Sequence, residues 1–199
     1  MILPVTLAAG NEDTAYTITA ATLLAGVTDI DGPTLSITSV SVASGGGSIV
    51  NNGNGTWTYT PAANYSGPVS FSYTASDGSL SSISTASLVI SPVNDAPTAT
   101  NLSTAETYTQ DTPLNLVDIV VSDVDSATVT ATLTLSNPAA GSLNTATSGA
   151  VTSTYNAATG VWTASGAIAN VNALLAGLTL TPAANFNGSF SIATSVSDG

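Results

Sequence analysis

Six side chains in this 199-residue sequence have types and spacings that could do chemistry, and all six offer oxygen. Asp123-Val124-Asp125 is a DxD pair, Ser197-Asp198-Gly199 an acidic turn, Asn94-Asp95 an acidic step, and Glu12 lies in Asn11-Glu12-Asp13-Thr14. Carboxylates, side-chain amides and neighbouring backbone carbonyls are the donors of which calcium takes six to eight. Magnesium demands tighter octahedral geometry and keeps its water, so calcium is the expected ion.

Other chemistry is excluded by what is missing. The chain has no Lys, Arg, His or Cys, against twelve Asp plus Glu. Without His or Cys there is no Ser-His-Asp or Cys-His relay and no zinc, copper or iron–sulfur site of the usual ligands. Without Lys there is no Schiff base and no phosphate-gripping loop. Without any cationic side chain, the counterion release that drives nucleic-acid binding cannot arise. A glycosidase needs two acids of different pKa flanking a cleft, and nothing in the sequence points to a cleft. Asp13-Thr14-Ala15 and Asp111-Thr112-Pro113 lack the glycine of the aspartic-protease motif. No catalytic residue is therefore expected. The net charge of −12 has two ordinary readings, solubility by self-repulsion or carboxylates that await a cation.

The elements that must position these groups are strands. Ser and Thr number 59, Val and Ile are abundant, and 17 Gly and 9 Pro supply turns. Val69, Phe71, Tyr73 and Ala75 alternate with polar residues, as do Ala86, Leu88 and Ile90, and Val129, Ala131, Leu133 and Leu135. The run 51–55 (NNGNG) reads as a hairpin turn, and only 171–177 looks helical. The sequence is also written twice. TPAANYSGPVSFSYTASDG at 60–78 recurs without gaps as TPAANFNGSFSIATSVSDG at 181–199, and Asp29-Ile30-Asp31 matches Asp123-Val124-Asp125. Glu12 is paired with Glu106 in the same comparison. The expected fold is all-β: two tandem immunoglobulin-like Greek-key sandwiches, 1–94 and 95–199. The second should carry an insertion near 136–178 and lack its last strand, because nothing after Gly199 corresponds to 79–90. Pro92 and Pro97 make the join short and stiff. No apolar run approaches the ~18 residues that span a bilayer, and 1–4 is no signal peptide, so the chain reads as a piece cut from a longer exported protein.

In an up-and-down sandwich the connection between strands two and three and that between strands six and seven lie at one end. That end of the second module should hold Asp123, Asp125 and Asp198, with Asn94 and Asp95 arriving there and Glu12 reaching it from the first module. Five carboxylates so gathered repel one another, and a divalent cation removes the repulsion.

The chain resembles the bacterial cadherin-like modules of giant surface adhesins, often called tandem-95 or VCBS-type repeats. NEDTAYTI, LLAGVTDIDGPTLSITSV, GNGTWTYTPAANYSGPVSFSYTASDG and PVNDAPT carry the resemblance in the first copy; VSDVDSATV, VNALLAGLTLTPAANFNG and SVSDG carry it in the second. It implies calcium between modules, with Glu12, Asn94, Asp95, Asp123, Asp125 and Asp198 as ligands. It also implies a weaker, half-built site from Asp29, Asp31 and Asp77, with Asn64 where the family has an acid. The implied role is a calcium-stiffened repeat of an extracellular or bacterial cell-surface protein. Its partners would be neighbouring repeats, without nucleic acid and without membrane insertion.

Two rival roles follow from other residues. The insertion, around Trp162 and Leu174-Leu175, could bind a glycan or a protein, whereas Trp57 and Tyr59 read as core because Leu178 and Leu180 replace them in the second copy. The missing strand could be donated by another chain, giving self-association. Asp13, Asp111 and Asp118 read as plain surface charge.

Overall fold

The computed structural model describes residues 4–29, 34–102 and 104–199, and it divides into two compact units, Met1–Val93 and Asn94–Gly199. Both are all-β. The first is built of two sheets; the described residues of the second form a three-stranded and a four-stranded sheet and two two-stranded ladders.

In the first unit one sheet contains β1 (Val5–Thr6), β2 (Gly10–Asn11), β4 (Ser36–Ser44), β7 (Gly67–Ser76) and β8 (Ser81–Ser91). β8 lies at its centre, antiparallel to β7 and parallel to β1 and β2, and β7 pairs on its other side with β4. The facing sheet is β3 (Tyr16–Thr19), β6 (Thr56–Thr60) and β5 (Ser48–Asn51), with a short helix α1 (Ala20–Leu23) after β3. Period-two alternation sets the core: Val69, Phe71, Tyr73 and Ala75 of β7 and Ala86, Leu88 and Ile90 of β8 are all buried. Trp57 and Tyr59 are buried with them. The turn from β7 to β8 is held by Asp77, whose Oδ1 accepts the N–H groups of Ser79 and Leu80, both at 2.7 Å. These two donors hold the Asp77 carboxyl below the ordinary aspartate range.

The described residues of the second unit repeat this plan with one segment added. β9 (Thr98–Ala99) pairs with β11 (Val121–Ser122), and β10 (Leu114–Asn115), β18 (Thr179–Pro182) and β13 (Gly141–Leu143) form the small sheet. Its other sheet runs β16 (Thr154–Asn156), β17 (Val161–Ala167), β12 (Thr128–Leu135), β19 (Ile192–Ser197). Strand pairing gives the equivalences directly. Ile37 faces Ala75 in the first unit, and Ala131 faces Val196 in the second; Ile49 faces Tyr59, and Leu143 faces Leu180. A glycine lies two residues before Ile49 and Leu143 in each unit. A Cβ on Gly47 would stand 2.4 Å from the Thr60 carbonyl oxygen, and one on Gly141 2.3 Å from that of Thr181.

Two expectations change here. The inserted segment begins after Leu143, not near 136, because 136–143 includes the second unit's own equivalent of β5. It comprises the hairpin of β14 (Thr147–Ser148) and β15 (Val151–Thr152), then β16, β17 and helix α2 (Ile168–Ala176). Glu12 is matched by Gln110, not Glu106: Tyr16 faces Tyr59 and Leu114 faces Leu180, which aligns EDTAYTI with QDTPLNL. Glu106 stands earlier, and its Oε1 accepts the Val117 N–H at 2.8 Å.

The insertion is core material. Trp162 is 0% exposed, Leu174 5% and Leu175 2%, and Trp162 Nε1 donates to the Asn144 carbonyl at 3.0 Å. A recognition surface built on these three side chains is therefore excluded, because they face inward.

Trp162→Ala removes a buried indole and orphans the Asn144 carbonyl, so urea denaturation should show the second unit's transition lowered by about 3–5 kcal/mol. Replacing Asp77 by Ala tests the turn. A carboxyl whose folded pKa is depressed stabilises the fold above its unfolded pKa, and the contribution is lost as pH falls through the folded value. The deficit of Asp77→Ala should thus be full at pH 6 and shrink below the ordinary value of 3.8. Equal deficits at pH 6 and pH 2.5 would show that charge is irrelevant to the turn.

Candidate metal centre

The loop between β11 and β12 holds Asp123 and Asp125, and Asp198 follows the last residue of β19. β12 and β19 are hydrogen-bonded neighbours, with Thr130 opposite Ser197. Strand pairing therefore brings residues more than seventy positions apart to one end of one sheet. One ligand oxygen from each of Asp123, Asp125 and Asp198 lies within 4.8 Å of the others. Among the described residues this is the one cluster of three or more acids that could hold a metal ion.

Each carboxylate has some local compensation. Asp123 Oδ1 accepts the N–H groups of Asp125 at 3.1 Å and Ser126 at 2.8 Å, which curls the loop into an Asx turn. These donors, Ser126 foremost, outweigh partial desolvation and hold the Asp123 carboxyl below the ordinary range. Asp125 Oδ2 accepts the Asp95 N–H at 3.1 Å. Asp198 Oδ2 accepts from the Asn94 amide nitrogen and, at 3.5 Å, from the Ser126 hydroxyl. The Asn94-Asp95 segment is thus tied to both acidic loops within the second unit.

One atom is left over. Asp123 Oδ2 is inaccessible to solvent and has no hydrogen-bond partner. A buried anionic oxygen without a partner is costly, and no Lys, Arg or His exists anywhere in the chain to serve it. The donor set is all oxygen and mostly anionic, which fits a hard divalent cation and not a soft one. Asp123, Asp125 and Asp198 would hold such an ion, and the Asn94-Asp95 segment would lie against it.

The remaining predicted ligands are placed as follows. Glu12 belongs to the first unit, is 4% exposed, and accepts the Val93 N–H through Oε1 at 2.7 Å. Asp29 and Asp77 line one surface hollow of the first unit with Leu80 and Ser81, while Asp31 lies outside the described residues. Asn64 has a left-handed backbone (φ 56°), and its N–H donates to Asp13 Oδ1 at 3.0 Å. The second unit repeats that contact between Asn185 N–H and Asp111 Oδ1 at 2.9 Å. Asp13 and Asp111 are therefore structural clips, which corrects their reading as plain surface charge.

The strand that leads into Asp123 is held by a residue that belongs to no acidic motif. Asn172, on α2, donates its amide to the Val121 carbonyl at 2.9 Å and accepts the Val121 N–H at 2.8 Å. It fixes the strand two residues before Asp123. The only sequence signal was an asparagine inside an apolar helix, a position where a buried amide needs a partner.

No curated protein matches the chain. Among solved structures it is similar to endo-fucoidan hydrolase MfFcnA4 from glycoside hydrolase family 107, at 18% identity and TM-score 0.31, covering 98% of this chain and 27% of that one. PcdhgB3 EC1-4 is similar at 13% identity and TM-score 0.36, with 97% and 47% covered. The titin domains Z1Z2 in complex with telethonin give 15% identity and TM-score 0.25, with 96% and 90% covered. The chain spans about a quarter of the hydrolase, and likenesses this distant carry no argument about activity. Residues 2–91, nearly the whole first unit, match the family model of the cadherin-like domain.

Proposed function

We propose that this chain is a non-enzymatic, calcium-stiffened repeat of a large extracellular, adhesin-like surface protein. The observation that carries the reading is the second unit's acidic cluster: three carboxylates, one with a buried unpartnered oxygen, in a chain that owns no cationic side chain. The cadherin-like match of the first unit supports it, since modules of that kind bind calcium between repeats. No helix among the described residues is long and apolar enough to cross a membrane.

The ion would act on the segment that joins the units. Asn94 and Asp95 already contact Asp198 and Asp125 through hydrogen bonds. Calcium would draw those carboxylates together and fix the segment with them. Within the first unit, Glu12 accepts the Val93 N–H and so fixes the residue that precedes this segment. A repeat whose joint stiffens on binding a cation works as a spacer, and its partners are neighbouring repeats.

Calcium titration by calorimetry, paired with thermal melts, tests the proposal. Calcium at a hundred times its dissociation constant adds about 2.7 kcal/mol to the unit that binds it, a rise on the order of 10 °C. Asp123→Asn should abolish that rise, and Asp118→Asn should leave it intact. Superimposable melts in calcium and in chelator would overturn the reading.

A further inference from the structure

The chain contains three Asn-Gly steps: Asn52-Gly53 and Asn54-Gly55, both in the turn from β5 to β6, and Asn187-Gly188. In such a step the glycine nitrogen can attack the preceding carboxamide carbon, because no Cβ stands in its way. The reaction asks for a free glycine N–H, a free amide nitrogen to leave, and donors on the carboxamide oxygen where negative charge develops. The structure distributes these three unequally.

At Asn52 the first two are withheld. The Gly53 N–H donates to Asn51 Oδ1 at 2.9 Å. The Asn52 amide nitrogen donates to the hydroxyls of Thr56 at 2.9 Å and Thr58 at 3.1 Å. At Asn54 all three are met. Among the described residues the Gly55 N–H has no acceptor and the Asn54 amide nitrogen has no partner. Asn54 Oδ1 accepts the Thr56 N–H at 3.2 Å and the Thr56 hydroxyl at 2.7 Å. Both residues of the step are exposed, so water reaches them. Asn187 and Gly188 are exposed too, but no donor among the described residues reaches the Asn187 carboxamide oxygen.

We infer that Asn54-Gly55 is a self-modification site, and that the two donors of Thr56 make it the fastest of the three steps. The bond from the Gly55 nitrogen to Asn54 Cγ forms as the Cγ–Nδ2 bond breaks. The glycine amide proton passes to water, and the side-chain nitrogen takes a proton from water and leaves as ammonia. Water then opens the five-membered imide: cleavage at Cγ leaves aspartate, and cleavage at the main-chain carbonyl leaves isoaspartate. Either product carries a carboxylate, which takes the formal net charge from −12 to −13. At the aspartate product the Thr56 N–H and hydroxyl are already placed to serve that charge. The site is independent of the proposed calcium function, since it lies in the first unit and shares no residue with the acidic cluster.

Ageing the full chain in mildly alkaline buffer, followed by peptic digestion and tandem mass spectrometry, reads each step separately. Asn54 should convert about tenfold faster than Asn52 and several-fold faster than Asn187, a smaller gain than in a dry active site because the turn is exposed. In urea the three rates should converge. Thr56→Val removes one donor from Asn54 and one acceptor from Asn52. It should slow Asn54 by about tenfold without slowing Asn52. Thr56→Ser keeps the hydroxyl and should keep the parental rate at Asn54. Equal rates at the three steps of the folded chain would rule the site out. So would equal Asn54 rates in the Val and Ser variants, or a faster Asn54 in Thr56→Val, which is what a merely loosened turn gives.

Discussion

In a protein without lysine, arginine or histidine, a carboxylate can be balanced only by hydrogen-bond donors, by water, or by an ion taken from solution. That constraint organises the acidic residues of both units. Asp13 and Asp111 each accept a backbone N–H from a left-handed asparagine. Asp77 accepts two in a turn, and Glu12 and Glu106 accept one apiece, from Val93 and Val117. Backbone amides serve these groups because each is approached by a strand end or turn whose N–H has no ladder partner. At Asp123, Asp125 and Asp198 three acids share one end of one sheet, and the nearby donors are fewer than the oxygens that face them. The residual deficit is what an external cation would meet.

The duplication lets one unit serve as the control for the other. Residues equivalent by strand register experience the same sandwich with and without the insertion. Gly47 and Gly141 are one such pair. Both glycines are constrained alike, since a Cβ at either position would run into a backbone carbonyl oxygen, that of Thr60 at 2.4 Å or that of Thr181 at 2.3 Å.

Period-two alternation and the exact TPAAN repeat made the all-β fold legible, since each reports on a local geometry that burial enforces. The DxD and SDG segments were legible as acidic turns for the same local reason, and strand pairing brings those two together. Less was legible where register decided. Glu12 resembles Glu106 by residue type, but only the pairing of β3 and β10 with their partners shows that Gln110 occupies its place. The limits of the insertion were misjudged because β13 is three residues long and leaves almost no periodic signal. Trp162 had no counterpart to compare with, and a lone tryptophan is compatible with a surface or a core until its neighbours are known. Asp13 and Asp111 were missed because their partner is backbone, which a sequence of side chains does not display.

The acidic cluster draws on two elements with different supports. Asp198 continues directly from Ser197 at the end of β19, whereas Asp123 and Asp125 belong to the β11–β12 loop. That loop is anchored from α2 by Asn172, which fixes both backbone groups of Val121 two residues before Asp123. Strand ends fray more readily than strand centres, so Asp198 is the ligand whose position depends most on being held. An ion shared by the three acids would therefore order the end of β19 against a loop that is already fixed, and truncating Asn172 would loosen the other side of the same site.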